Sequence, residues 1–215
     1  MPSSESWQSA YVRFETPEQE TRKFVRRLRR LGAGEWRTDA RILELFCGRG
    51  NGLVALQRLG FSRVAGIDLS RELVAMHRGN VPRCVADSRA LPVCDASQDV
   101  VLVQGGLHHL ESLPMDLERV LNEAGRVLKP RGLFVAVEPW RTRFLDVVHE
   151  VGCSALGRRL WRRMDALAVM IEHERETYTR WLHEPDLIFT LLYDRFEPVV
   201  ARRRWGKLLF AGHKR

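Results

Sequence analysis

A cluster of glycines at one point in an apolar pattern constrains this chain more than any other feature. The short apolar run Arg41–Phe46 stops at Cys47-Gly48-Arg49-Gly50-Asn51-Gly52, and a helical pattern, Leu53–Leu59, follows and is ended by Gly60. A strand that turns into a helix within so few residues needs backbone conformations that glycine adopts freely. A second apolar run, Arg63–Leu69, closes on the acid Asp68, and a helix is predicted around Ser70–Arg78. Strand, helix, strand in that order is the start of a parallel sheet.

The alternation continues. Short strands are predicted at Arg83–Ala86, ending at Asp87, and at Asp99–Gln104, stopped by Gly105-Gly106. Leu117, Val120, Leu121, Ala124 and Leu128 recur at helical spacing over Asp116–Leu128, and Lys129-Pro130-Arg131-Gly132 terminates that helix. Leu133–Val137 is the fifth strand, Arg141–Leu182 turns helical and long, and Pro185–Tyr193 reads as a further helix. Phe196–Arg204 and Lys207–His213, joined tightly around Trp205-Gly206, are the last two strands. A tight connection requires antiparallel pairing, so the sheet is mostly parallel with a reversed last strand.

Composition narrows the class. At 215 residues with 45% hydrophobic and 29% charged side chains, the chain suits one α/β domain with a full core. No signal-type apolar core opens the sequence and no run approaches ~20 apolar residues, so a cytoplasmic location without a membrane span is the expectation. Cys47, Cys84, Cys94 and Cys153 lack zinc spacing and any Cys-x-x-Cys, which predicts neither metal nor disulfide. The net charge of +8 is concentrated in Arg22–Arg30, Arg158–Arg163 and Arg202–Arg204. Phe24, Leu28 and Leu31 share one helical face, as do Leu156, Leu160, Met164 and Leu167, so the arginines between them read as solvated faces. No interleaved stacking aromatics point to single-stranded nucleic acid.

Ligands of open parallel sheets bind at the carboxyl ends of the strands. Here successive strand ends carry the glycine cluster, then Ile67-Asp68-Leu69-Ser70, then Ala86-Asp87-Ser88. Asp68 lies 20 residues beyond Gly48, the usual place for a carboxylate that takes both hydroxyls of a ribose. Asp87 is placed to accept from the exocyclic amine of a purine. Taken together the three elements describe a nucleoside site.

These segments, with Leu107-His108-His109-Leu110, Arg126–Gly132 and Glu138-Pro139, resemble the successive motifs of class I S-adenosylmethionine-dependent methyltransferases. The nearest group contains ubiquinone/menaquinone-type and natural-product enzymes. The resemblance covers about residues 40–140 in detail and implies a Rossmann-like, seven-stranded sheet with helices on both faces. It implies that Glu44 helps hold the amino group of S-adenosylmethionine, that Cys47, Gly48 and Gly50 pack along its methionine and ribose, and that Asp68 with Leu69 binds the ribose. Asp87 with Ser88 would reach adenine, and Gln104 and Gly105 would lie beside the sulfonium. Phe46 stands where the family's first glycine falls, which predicts a differently shaped turn, and Arg131 replaces another glycine.

The chain then divides into a lid and helix (1–38), a cofactor-binding core (39–140), a helical substrate cover (141–183) and a C-terminal helix with two strands (184–215). In the lid, Trp7, Tyr11 and Phe14 precede the first helix, and Tyr11 is positioned to offer the cation an aromatic face and a hydroxyl. The cover carries His149, Trp161, Met164, Met170, His173, Tyr178 and Trp181. His109 is the candidate base, since an imidazole titrating near ~6.5 accepts a proton at neutral pH. Neighbouring residues leaving a strand point differently, so one of His108 and His109 is expected to face the pocket. Methyl transfer to oxygen or nitrogen of a small molecule, such as a natural product, lipid or sugar precursor, is the leading expectation. An RNA acceptor and a non-catalytic cofactor-binding subunit are the alternatives; a nicotinamide oxidoreductase is disfavoured because its loop spacing is Gly-x-Gly-x-x-Gly.

Overall fold

The computed structural model describes residues 6–77, 79–153 and 162–215. Five strands run parallel: β1 (Arg41–Leu45), β2 (Arg63–Asp68), β3 (Arg83–Val85), β4 (Gln98–Gln104) and β5 (Leu128–Pro139). The last two, β6 (Phe196–Arg204) and β7 (Lys207–Lys214), complete a seven-stranded sheet ordered β3-β2-β1-β4-β5-β7-β6. Of these, β7 is antiparallel to both of its neighbours, β5 and β6. The chain moves outward from β1 to β3, then crosses to β4 on the other side of β1. That reversal opens a crevice at the carboxyl ends of β1 and β4.

Alternation along the central strands sends side chains to two separate cores. Val101 and Val103 of β4, with Phe134 and Ala136 of β5, pack against α5 (Met115–Val127), α8 (Arg175–His183) and α9 (Pro185–Arg195). Their neighbours Val100, Leu102, Val135 and Val137 pack on the opposite face against α2 (Pro17–Arg30) and α3 (Asn51–Arg58). The sheet is therefore covered on both faces, as a mostly parallel sheet requires.

Helix α2 starts where its sequence dictates. Thr16 and Gln19 form a reciprocal capping box, and Pro17 occupies the first turn. Its apolar face buries Phe24 and Leu28, and Arg22, Arg26, Arg29 and Arg30 face solvent. Arg27 departs from that solvated row and turns inward, with consequences described below.

Other expectations shift. The stretch read as an N-terminal loop contains a helix, α1 (Trp7–Phe14), because Ser6 caps it by accepting from Ser9 N–H and Ala10 is buried beneath it. The fifth strand is longer than the run Leu133–Val137, reaching back to Leu128 through an irregular register. The helix after β2, α4, is only Arg71–Met76. The cover contains α6 (Arg143–Cys153), α7 (Arg162–His173) and α8. Residues 154–161, including Leu156, Leu160 and Trp161, lie outside the described residues. Cys47, Cys84 and Cys94 are free thiols, and no helix among the described residues is long and apolar enough to cross a membrane.

Candidate active site

The strand ends and the cover enclose a cavity of about 610 Å³. Its first wall is the glycine turn. Phe46 holds φ +54° and Gly48 φ +52°, so both residues sit in the left-handed backbone that glycine suits. The ring instead occupies space that Gly106 leaves open: a Cβ there would stand 2.2 Å from Phe46 Cγ. Cys47 and Gly48 line the cavity; Gly50 does not, because it serves as the left-handed N-cap of α3 with the His77 ring against it.

Asp68 ties β2 to that turn. One carboxylate oxygen accepts from Gly48 N–H at 2.7 Å and the other from Ser70 N–H at 2.8 Å. Exposed Leu69 lines the cavity beside it. At the end of β3, Asp87 is gripped by the Arg89 guanidinium, which also reaches Asp116, and the hydrogen bonding to Arg89 holds the Asp87 carboxyl below its ordinary range. Ser88 is buried next to it.

Glu44 lies deep under the turn at 2% exposure. Gln104 donates to its Oε1 at 3.1 Å, whereas Glu44 Oε2 and Gln104 Oε1 are buried without a hydrogen-bond partner. Burial pushes the Glu44 carboxyl up to about 8. A carboxylate at this depth needs a donor, and a Cβ at Gly52 would sit 1.9 Å from its Oε1. Orphaned acceptors of this kind fit an ammonium-bearing ligand.

Helix α1 closes the cavity from above. The Tyr11 hydroxyl donates to both oxygens of Glu20 at 3.0 and 3.1 Å, and Arg49 lies 4.6 Å over the Tyr11 ring. Glu20 also accepts from Arg49 at 2.9 Å and Asn51 at 2.7 Å, all three being buried. Trp7 stacks on Tyr11 at 5.1 Å and meets His109 edge-on at 5.6 Å.

Both histidines face the cavity, not one. They sit on a single 3₁₀ turn, Leu107–His109, with ring centroids 4.0 Å apart, and separate carboxylates hold them. His108 Nδ1 is 2.8 Å from Glu138, whose carboxylate also accepts from the N–H groups of Gly106 and Leu107. His109 Nδ1 is 2.8 Å from Glu174 of the α7–α8 corner. Burial lowers His108 below its usual value; burial also opposes charge on His109, but the Glu174 carboxylate outweighs it and leaves that imidazole raised. One ligand atom from each of His108, His109 and Glu174 falls within 4.8 Å of the others, with His109 Nδ1 at 2.8 Å and His108 Nε2 at 3.9 Å from the Glu174 carboxylate.

The cover supplies Met170 and Tyr178 to the cavity as expected, and adds Leu167, Ile171 and Glu174. Trp181 is instead a core residue, 1% exposed, donating to the Pro139 carbonyl at 2.8 Å.

With this geometry in view, residues 43–136 match the family model of a methyltransferase domain. Those residues carry a methyltransferase domain. Demethylmenaquinone methyltransferase from Chlorobaculum parvum is 30% identical over 108 residues, which is 49% of this chain and 43% of that one. The matched stretch spans less than half the length of the first curated relatives. Among solved structures, the PH0226 protein from Pyrococcus horikoshii aligns with TM-score 0.73 and 20% identity, over 99% of this chain and all of that one. Geranyl diphosphate C-methyltransferase from Streptomyces coelicolor, crystallised with S-adenosyl-L-homocysteine, aligns with TM-score 0.64 and 14% identity over 99% and 86% of the two chains. These likenesses carry the fold.

Several groups escape the motif reading: Glu20, Glu174, Arg27 and Lys207 on the cavity wall, and Arg49 and Glu138 bonded behind it. Only Glu138 had a signal, as the acid on which the fifth strand closes.

Proposed function

We propose that this chain transfers a methyl group from S-adenosylmethionine to an oxygen or nitrogen of a small-molecule acceptor. The observation that carries the reading is that one cavity joins Glu44, Asp68 and Asp87 at one end to His109 and the cover helices at the other. The buried, unpartnered oxygens of Glu44 and Gln104 suit the cofactor's amino group, and Asp68 suits its ribose hydroxyls. Asp87 with Ser88 would take adenine, Gly48 and Cys47 the methionine and ribose chain, and Gly105 the region of the sulfonium. Bound there, S-adenosylmethionine supplies a methyl group already activated for in-line displacement.

The protein's share is then placement and proton handling. Helix α1 and the α7–α8 corner keep water away from the acceptor and hold its lone pair in line. His109 takes the proton that the acceptor's hydroxyl or amine loses as the new bond forms, and Glu174 stabilises the resulting imidazolium. His108, locked to Glu138, positions the turn that carries His109. A cavity of about 610 Å³ suits a small acceptor, and the demethylmenaquinone enzyme, by its name, points the same way. Incubation with labelled cofactor and a metabolite extract, followed by mass spectrometry, tests the reading: a methylated small molecule is expected, and methylated RNA with no small product would overturn it.

A further inference from the structure

The sheet edge that carries the site runs on past the residues discussed so far. Lys207, the first residue of β7, pairs with Pro139 at the carboxyl end of β5, so the reversed strand delivers its amino end to the ligand edge. The order β2-β1-β4-β5-β7 places it four strand spacings from Asp68, roughly 19 Å at ~4.8 Å each. Lys207 therefore lies beyond Gln104, on the far side from the ribose acid.

Four Lys and Arg side chains line the cavity among the described residues: Lys23, Arg27, Arg89 and Lys207. Lys23 is paired with Glu15, and Arg89 with Asp87 and Asp116. Among the described residues the Arg27 and Lys207 side chains have neither ion pair nor hydrogen bond; Arg27 lies 5.7 Å over the Phe24 ring. The acids near them are already engaged: Glu15 by Lys23, Glu20 by Arg49, and Glu138 by His108 with two backbone donors. Burial, with repulsion from Arg27 and Lys23, brings Lys207 down to about 7, and burial brings Arg27 down to about 10 against the pull of Glu15, Glu20 and Glu138. Two basic groups held in a cavity without a direct ion pair are costly unless a ligand supplies one.

We infer that Lys207 and Arg27 form an anion subsite that holds a carboxylate or phosphate of the methyl acceptor, so that the acceptor is a small anionic metabolite. The guanidinium fork suits two oxygens of such a group, and the ammonium adds a compact point charge. This assignment rests on the methyltransferase reading above, since it takes the far end of the cavity as the acceptor's.

Calorimetric titration of the full chain, with and without saturating S-adenosylhomocysteine, tests it with inorganic phosphate, inorganic pyrophosphate and benzoate as probes. Saturable binding of at least one anion is expected, the phosphate and benzoate arms telling the two chemistries apart. Lys207→Met and Arg27→Met should each weaken that binding about tenfold or more. Lys207→Arg should retain it, with S-adenosylhomocysteine affinity unchanged throughout. Because Lys207→Met removes an unpaired cation, its melting temperature should hold or rise, which separates lost binding from lost folding. Absence of saturable anion binding, or equal binding by the variants, would overturn the subsite. So would a parallel loss of S-adenosylhomocysteine affinity, which would give the pair to the cofactor's own carboxylate. A wild-type chain that takes no S-adenosylhomocysteine strikes the cofactor reading instead, and the cofactor-free titration then decides the subsite alone.

Discussion

Phe46 and Gly106 illustrate how one residue's exception sets another's limits. Phe46 holds a positive φ that disfavours a bulky side chain, and its ring fills the space over Gly106. Gly106→Ala should destabilise the fold by about 1–3 kcal/mol through overpacking. Phe46→Gly in the same chain should recover most of that loss, which a double-mutant cycle from denaturant melts would read. His109 gives a second test. As a base it works in the neutral form, so activity rises as pH passes upward through a value above that of an ordinary histidine. Glu174→Gln removes the charge that raises it, so the acidic limb of the kcat/KM profile should move to lower pH; an unmoved limb would remove His109 from the proton transfer. Asp68 and Asp87 were legible in the sequence because each stands at the end of a strand, and His109 because it follows one within five residues. Glu174, Arg27 and Lys207 were not, because only the folded chain brings three distant segments to one wall.

Among the elements, α1 departs most from its sequence pattern. Eight residues without a clear apolar period are marginal as an isolated helix; packing on α7 and an Arg13–Asp165 ion pair at 2.9 Å hold it. It is also anchored through Tyr11 to the buried Glu20–Arg49 pair, so lid and glycine turn share one polar network. Removing Glu20 leaves a buried guanidinium short of its carboxylate. Glu20→Ala should therefore cost about 3 kcal/mol or more in a denaturant melt, against a near-neutral change for exposed Glu35→Ala. A chain starting at Thr16 should fold yet bind cofactor more weakly, and unchanged affinity on calorimetry would take α1 out of the site. The strands of the cofactor half were readable because apolar runs, glycines and acids follow one another locally. The cover was readable only as helical, since its aromatic residues divide between cavity (Tyr178) and core (Trp181) by contacts that periodicity does not encode.

At the scale of the molecule, the strand order lays the chemistry out in a line: Asp87, Asp68 and Glu44 toward one edge, Gln104 at the centre, His108, Glu138 and Lys207 toward the other. The residues proposed for the cofactor fall within 44–105 and those proposed for the acceptor on both flanks, so the first could be read in the sequence and the second only in the fold. On the proposed function, the strand ends bind S-adenosylmethionine with Asp68 on its ribose. Calorimetric titration of the cofactor into the wild-type chain and Asp68→Ala tests it most directly. Loss of charge-assisted bonds worth roughly 1.5–3 kcal/mol predicts affinity lower by about tenfold to a hundredfold in the variant; equal binding by the two proteins would contradict it.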